Sequence, residues 1–383
     1  MRPLRIALVA AAALALAGCS SWNPLVALGF KTAPAHVPTP LSPINVQVTP
    51  RVIWTGHAGK SQGFTFRPVS QGGQVYAAAA DGTVSVFDED TGRVAAKFDA
   101  KKKLSAGLEV GDGKIIAATS KGEVVALDMN GKGLWTSPVG GEVIAPPAIG
   151  SNVVVVRVTD GRILGLSSND GKRKWVFQRA MPPLLLRSEA GVLAVGRDVV
   201  AGYPNGKLLA LDLEDGKLTW EVSVALPRGA TELERIADVA GLPVIDGSQV
   251  CAGAFQGKIA CFEIQSRNMV WSRDVSTSRA LARDGKNIYA VDDSSAVQAL
   301  EKAQGASVWK QDKLQYRRLT APVIVDARVV VGDYQGYLHV LSPDNGDIVG
   351  RLATDGTAIQ SLVPIAGGLI VQTAGGSVLL VRI

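Results

Sequence analysis

From about residue 54 the chain alternates short apolar runs with turn dipeptides, and the alternation itself repeats. The fullest copy reads NGKLLALDLEDGKLTW, residues 205–220. One run ends in VVAGYP, Asn205-Gly206 follows, then KLLALDL, Asp215-Gly216 and KLTWEV. Asn-Gly and Asp-Gly between alternating runs are the strongest local hairpin signal, because both central residues take positive φ. The runs are too short for helices and rich in Val, Leu and Ile. Each unit therefore predicts a small antiparallel sheet of four strands.

The turn position recurs at Gly82, Gly122, Gly161, Gly206, Gly257, Ser295, Gly336 and Gly376, with spacings of 40, 39, 45, 51, 38, 41 and 40. A tryptophan follows about 14 residues after most of these turns: Trp135, Trp175, Trp220, Trp271 and Trp309, with Trp54 before the first. The first and seventh copies carry Ala96 and Gly350 at that point. A lone four-stranded sheet cannot bury both faces, whereas copies stacked around an axis can. The fold class predicted is all-β: an eight-bladed β-propeller over residues 50–383. The tryptophans are expected to fill the wedges between blades. The eighth copy stops at Ile383 without an outer strand, and the Trp54 segment is an outer strand without a hairpin. The two complement each other, so the N-terminal strand is expected to complete the last blade and leave no open edge.

Residues 1–18 stand outside this repeat. Arg2 and Arg5 precede an apolar run from Ile6 to Ala17, too short to span a bilayer and suited to a cleaved signal peptide. Leu16-Ala17-Gly18-Cys19 looks like a bacterial lipobox, which predicts lipidation of Cys19, and Ser20 after it suggests the outer membrane. Residues 19–49 then read as a tether, with five prolines between residues 31 and 50. Formal charge is +6, and +4 over 365 residues once Arg2 and Arg5 are removed. That is too weak and scattered to argue for nucleic acid. The run Lys101-Lys102-Lys103 suits a solvated loop.

Cys251 and Cys261 flank the Gln256-Gly257 turn. A two-residue turn there would pair 251 with 262 and point the two thiols to opposite faces. Two buried free thiols are therefore expected, although a secreted chain permits a bridge. His36, His57 and His339 lack metal-ligand spacing. Asp88, Asp128 and Asp212 recur in register after the third strand, which argues for satisfying turn N–H groups rather than for catalysis. No catalytic, cofactor-binding or metal-binding motif is found.

The repeat resembles that of the pyrroloquinoline-quinone dehydrogenases, in its turn glycine, Ala-Leu-Asp, second turn and Trp, across residues 54–383. Those enzymes add calcium ligands, a catalytic carboxylate and often vicinal cysteines at the centre, and this chain has no adjacent cysteines. A quinone-dependent dehydrogenase, or a degenerate ligand-binding relative, is kept as the alternative function.

Two consecutive spacings are long, 45 and 51. In repeat proteins such insertions cluster on one, often binding, face. Both fall after the Trp, so both belong to the same side of the disc. One loop is QRAMPPLLLRSEA, residues 178–190, and the other LPRGATELERIADVAG, residues 226–241. Thr231 and Glu234 have capping-box spacing and predict a short helix over TELERIADV. The bland reading of Leu184, Leu185 and Leu186 is that they cover their own blade. With the lipobox and tether, these loops are similar to those of the BamB family, lipoprotein subunits of the complex that folds β-barrels into the outer membrane. The resemblance implies that Leu184, Leu186 and Arg187, with Glu232, Arg235 and Asp238, meet a POTRA domain of BamA. Ala240 departs from the acid the family carries there. It also implies a non-catalytic scaffold facing the periplasm, with edge pairing as a way to hold unfolded barrel strands.

Overall fold

The computed structural model describes residues 36–189 and 191–383, so the expected signal peptide of residues 1–18 and Cys19 lie outside the described residues. They form eight four-stranded antiparallel sheets, and no helix among the described residues is long and apolar enough to cross a membrane. Blade four is representative. Its strands, from innermost (a) to outermost (d), are Leu193–Val195, Asp198–Tyr203, Lys207–Asp212 and Leu218–Ser223. In the eighth sheet the order is Arg51–His57, Ser377–Arg382, Gly368–Thr373, Ile359–Ile365. The N-terminal strand is thus the d strand of the last blade, with Trp54 opposite Leu380.

Tryptophan placement has a local cause. Every c–d pair of blades one to seven shifts register once; in blade four the shift lies between Ala210 and Leu211, leaving Trp220 opposite Ala210. The same arrangement sets Trp135 opposite Ala126 and Trp175 opposite Gly165, so the indole lies over a small c-strand residue. Five indole Nε1 groups then donate to carbonyls of the next blade, as Trp175 does to Leu213 O at 3.0 Å and Trp135 to Ser168 O at 2.9 Å. Each of these indoles also covers that blade's c–d turn glycine. A Cβ on Gly216, which has φ +71°, would fall 2.5 Å from the Trp175 ring. Where the first copy lacks Trp, Phe98 covers Gly131 instead. Trp220 has no glycine to cover, because Arg267 with φ +61° holds that turn, and among the described residues Trp220 makes no such hydrogen bond.

The core lies between blades. Val200, Leu208 and Ala210 of blade four pack on Val250, Ala252, Ala260 and Phe262 of blade five. Each Val, Leu or Phe side chain so removed from water contributes roughly 1.5–3 kcal/mol, and the alanines less.

The seventh blade lacks Trp because the chain before the first strand takes its place. Gln47 and Val48 both donate to Val349 O, at 2.8 and 3.0 Å, and a Cβ on Gly350 would meet Val48 O at 2.7 Å. Leu41 and Ile44 fill the wedge between blades six and seven. A buried ion network pins the start of this segment. Asp333 accepts from Arg317 Nε at 2.8 Å and contacts His339 Nε2 at 3.0 Å, while Arg317 Nη1 donates to Thr39 O at 3.0 Å. Burial pushes the His339 imidazole below its ordinary range, against the pull of Asp333.

The recurring acids behave as turn caps. Asp128 Oδ1 accepts from Asn130 N and Lys132 N, and Asp212 Oδ1 from Glu214 N and Asp215 N. The cysteines correct the sequence reading. Cys251 stands opposite Cys261, and the two form a disulfide across neighbouring strands with Cα atoms 4.0 Å apart. The b–c loop is one residue longer than a two-residue turn. Ala254 N donates to Lys258 O, and Gln256 adopts φ +48° inside the loop. One extra loop residue moves every pairing by one and brings both thiols to the same face.

Candidate functional site

Antiparallel order fixes which connections share a side. In each blade the b–c turn and the d-to-a link to the next blade emerge on one face, and the a–b and c–d turns on the other. The two long links, between Phe177 and Leu193 and between Ser223 and Val244, therefore rise together beside the b–c turns of blades three, four and five.

They are clamped to each other. Asp238 of the second loop is 4% exposed. Its Oδ2 accepts from Leu186 N of the first loop at 2.7 Å, and its Oδ1 from Asn205 N of the b–c turn at 3.2 Å. Burial pushes the Asp238 carboxyl up, partly opposed by those two amides. Ser188 Oγ donates to Ala240 O at 2.8 Å, so the residue that departs from the family pattern serves through its carbonyl.

The second loop makes the capping box without the helix. Glu234 N donates to Thr231 Oγ1 at 3.3 Å, and Thr231 N to Glu234 Oε2 at 3.1 Å. The amides of Thr231 and Ala230 hold the Glu234 carboxyl below its usual range. The expected helix stops after one turn, at Arg235 N to Thr231 O. Ala237, Val239 and Ala240 are drawn into the core between blades, and Val239 N donates to Tyr203 O while Phe255 N donates to Asp238 O. Tertiary partners for these amides outcompete the helical ones. The Gln256 carboxamide lies 3.1–3.3 Å from the carbonyls of Leu233, Glu234 and Ile236, which identifies its nitrogen as the group facing them.

What faces outward is a ring of apolar and charged tips. Leu184 is 43% exposed, Leu226 63% and Leu233 66%. Leu185 and Leu186 are half-buried and line the cleft between the loops. Arg187 is exposed and reaches Glu142 of the preceding link at 2.8 Å. Arg235 and Glu232 pair at 3.4 Å, both half-exposed, and Arg235 Nε donates to Gly229 O. Of the six residues singled out by the resemblance, Leu184, Arg187, Glu232 and Arg235 are thus at the surface, Leu186 faces the cleft, and Asp238 lies beneath. The bland reading holds in part, since Leu185 and Leu186 cover the blade while Leu184 does not.

Beneath the cleft lie residues the sequence reading passed over. Arg157, last in its b strand, stacks over the ring of Tyr203, last in the b strand of the next blade, with Cζ 5.9 Å from the centroid. Tyr203 Oη donates to Gly161 O at 2.8 Å. The only signal for Arg157 was an arginine ending an all-valine run, which reads as an ordinary strand end. Among the described residues no three His, Cys, Asp or Glu side chains come together as a metal-binding group.

A family model described as outer membrane protein assembly factor BamB matches residues 80–311. A relative of that name from Bordetella pertussis is 40% identical, covering 100% of this chain and 97% of its own. Among solved structures, BamB from Moraxella catarrhalis superposes with a TM-score of 0.82 at 25% identity, covering 88% of this chain and 100% of its own. A quinohemoprotein alcohol dehydrogenase from Comamonas testosteroni gives 0.69 at 12% identity over 88% and 78% of the two chains, a likeness of fold alone. With the propeller, the PQQ-like repeat and this match across most of its length, the chain belongs to the BamB family.

Proposed function

We propose that this chain is a non-catalytic scaffold of the β-barrel assembly complex, aiding folding and insertion of outer-membrane β-barrel proteins. In this reading the lipidated Cys19 holds it at the outer membrane, facing the periplasm, and the paired loops bind the POTRA region of BamA. The observation that carries the reading is the clamp: the two longest links of the ring are locked together by Asp238 with Leu184, Leu226 and Leu233 left outside. Apolar anchors held on a rigid base, with Arg187, Arg235 and Glu232 at the rim, have the composition of a protein-binding surface. The names of the relatives as assembly factors support the same role.

The test is co-purification. Leu184→Glu and Arg187→Glu replace surface tips, so circular dichroism and melting should match the wild type, while BamA no longer co-purifies. BamA recovered at wild-type yield with both variants would remove the site from the reading.

A further inference from the structure

The guanidinium of Arg157 is a chemically unfinished group under the loop face. It has five N–H donors, yet makes no hydrogen bond among the described residues; its Nη1 is sealed from solvent without a partner, while the residue as a whole is only half-buried. Its contacts are the Tyr203 ring and the field of Asp238. Asp238 acts on it only through its field: no hydrogen bond joins the two, and the carboxylate oxygens are turned to Leu186 N and Asn205 N. Buried donors in native proteins nearly always have partners, and an exception calls for a functional explanation. Here the exception lines the cleft between the two loops, where Ile144, Met181 and Leu186 stand beside the polar Arg187, Ser188 and Asp238. The low local dielectric of a partly buried cleft strengthens any hydrogen bond formed inside it.

We propose that Arg157 is a specificity-determining residue of the loop face, its guanidinium receiving a carboxylate that the docked partner inserts between the loops. The inference rests on the scaffold reading above and adds the chemistry of what enters the cleft. A carboxylate is the acceptor that matches a planar guanidinium at two points and forms charge-assisted bonds. The outer tips would then supply area, and Arg157 the discrimination between an acidic side chain and a neutral one.

The experiment measures the affinity of the full-length protein for the purified POTRA region of BamA, by calorimetry, for wild type, Arg157→Met, Arg157→Lys and Leu184→Glu. Arg157→Met removes no hydrogen bond from the free protein, so its melting temperature should match or exceed that of the wild type, while affinity falls about ten- to hundredfold. Arg157→Lys keeps the charge but not the two-point match, and should lie between. An alanine scan of the POTRA acids should then find one whose loss weakens wild type but not Arg157→Met. Affinity of Arg157→Met within twofold of wild type, with Leu184→Glu not binding, would overturn this inference and leave the scaffold reading standing. A marked drop in the melting temperature of Arg157→Met would assign a structural role instead and overturn it too. No binding by the wild type would overturn both.

Discussion

A tryptophan repeated six times invites one explanation, but its indole does two separable things. The ring fills the wedge between blades, and in five cases Nε1 also donates to a carbonyl of the next blade. Trp175 does both, donating to Leu213 O at 3.0 Å and covering Gly216. At the turn that corresponds for Trp220, Arg267 stands in place of the glycine, and Trp220 makes no such bond among the described residues. Replacement by Phe keeps most of the ring and deletes the donor. Trp175→Phe should therefore lose the packing difference plus a buried hydrogen bond, with the Leu213 carbonyl left unpaired, about 1–3 kcal/mol beyond the loss in Trp220→Phe. Urea titration of both variants checks this; equal midpoints would mean that the hydrogen bond adds nothing to wedge filling.

At the level of elements, the hairpins decide what surrounds the site. The b–c loop of blade five carries Gln256, whose amide reaches three carbonyls of the second long loop, and Phe255 N donates to Asp238 O. The Cys251–Cys261 disulfide closes the base of that same hairpin. By loop-closure arithmetic a crosslink of this length restricts the unfolded chain by about 2–3 kcal/mol. Cys251→Ala/Cys261→Ala is expected to lose about that much stability. Its amide exchange should rise first at residues 254–258 and in the loop 226–241 that leans on them, and not in blade one. Uniform protection across the chain would show that the hairpin holds its shape without the bridge. This element also shows where sequence reading stopped. Four strands per blade, the ring of eight and the closing strand were legible because the same spacing recurs and Trp54 had no hairpin of its own. The disulfide was not, because one uncounted loop residue reverses the face of every side chain in the strand. The two long links were legible as departures from about 40 residues. The turn of Asp238 inward, and the failure of TELERIADV to continue as a helix, were not, because both depend on the amides of Leu186 and Asn205 and the carbonyl of Tyr203, which come from elsewhere in the chain.

For the molecule as a whole, ring closure and the presentation of the site are one problem. A propeller in which one blade slides carries its links with it, and the candidate site spans links around blades three to five. Closure rests on a short stretch of chain. Thr39 N donates to Gln315 O, on the face that also bears the long loops; the chain then descends past Arg351 and Val349 and turns into Arg51–His57. Trp54 in that strand packs with Phe87 of blade one, ring centroids 5.9 Å apart, and its Nε1 donates to Glu89 O at 2.8 Å. Three truncations separate these contributions. A chain beginning at Thr39 keeps every contact just named and should melt like the longer protein. One beginning at Arg51 loses Leu41 and Ile44 from the wedge and the carbonyls of Thr39 and Ser42 that accept from Arg317 and Arg351, so about 2–5 kcal/mol of stability should go. One beginning at Ala58 loses the whole d strand of blade eight. The backbone of Ser377–Arg382 is then an open edge beside exposed Phe87 and Leu380, which predicts a further loss of at least the 3–5 kcal/mol typical of one buried Trp, together with self-association through the edge. Urea denaturation with light scattering reads both quantities. If the chain beginning at Ala58 stays monomeric and as stable as the one beginning at Arg51, the ring does not depend on its N-terminal strand, and the geometry of the loop face must be held by the neighbouring blades alone.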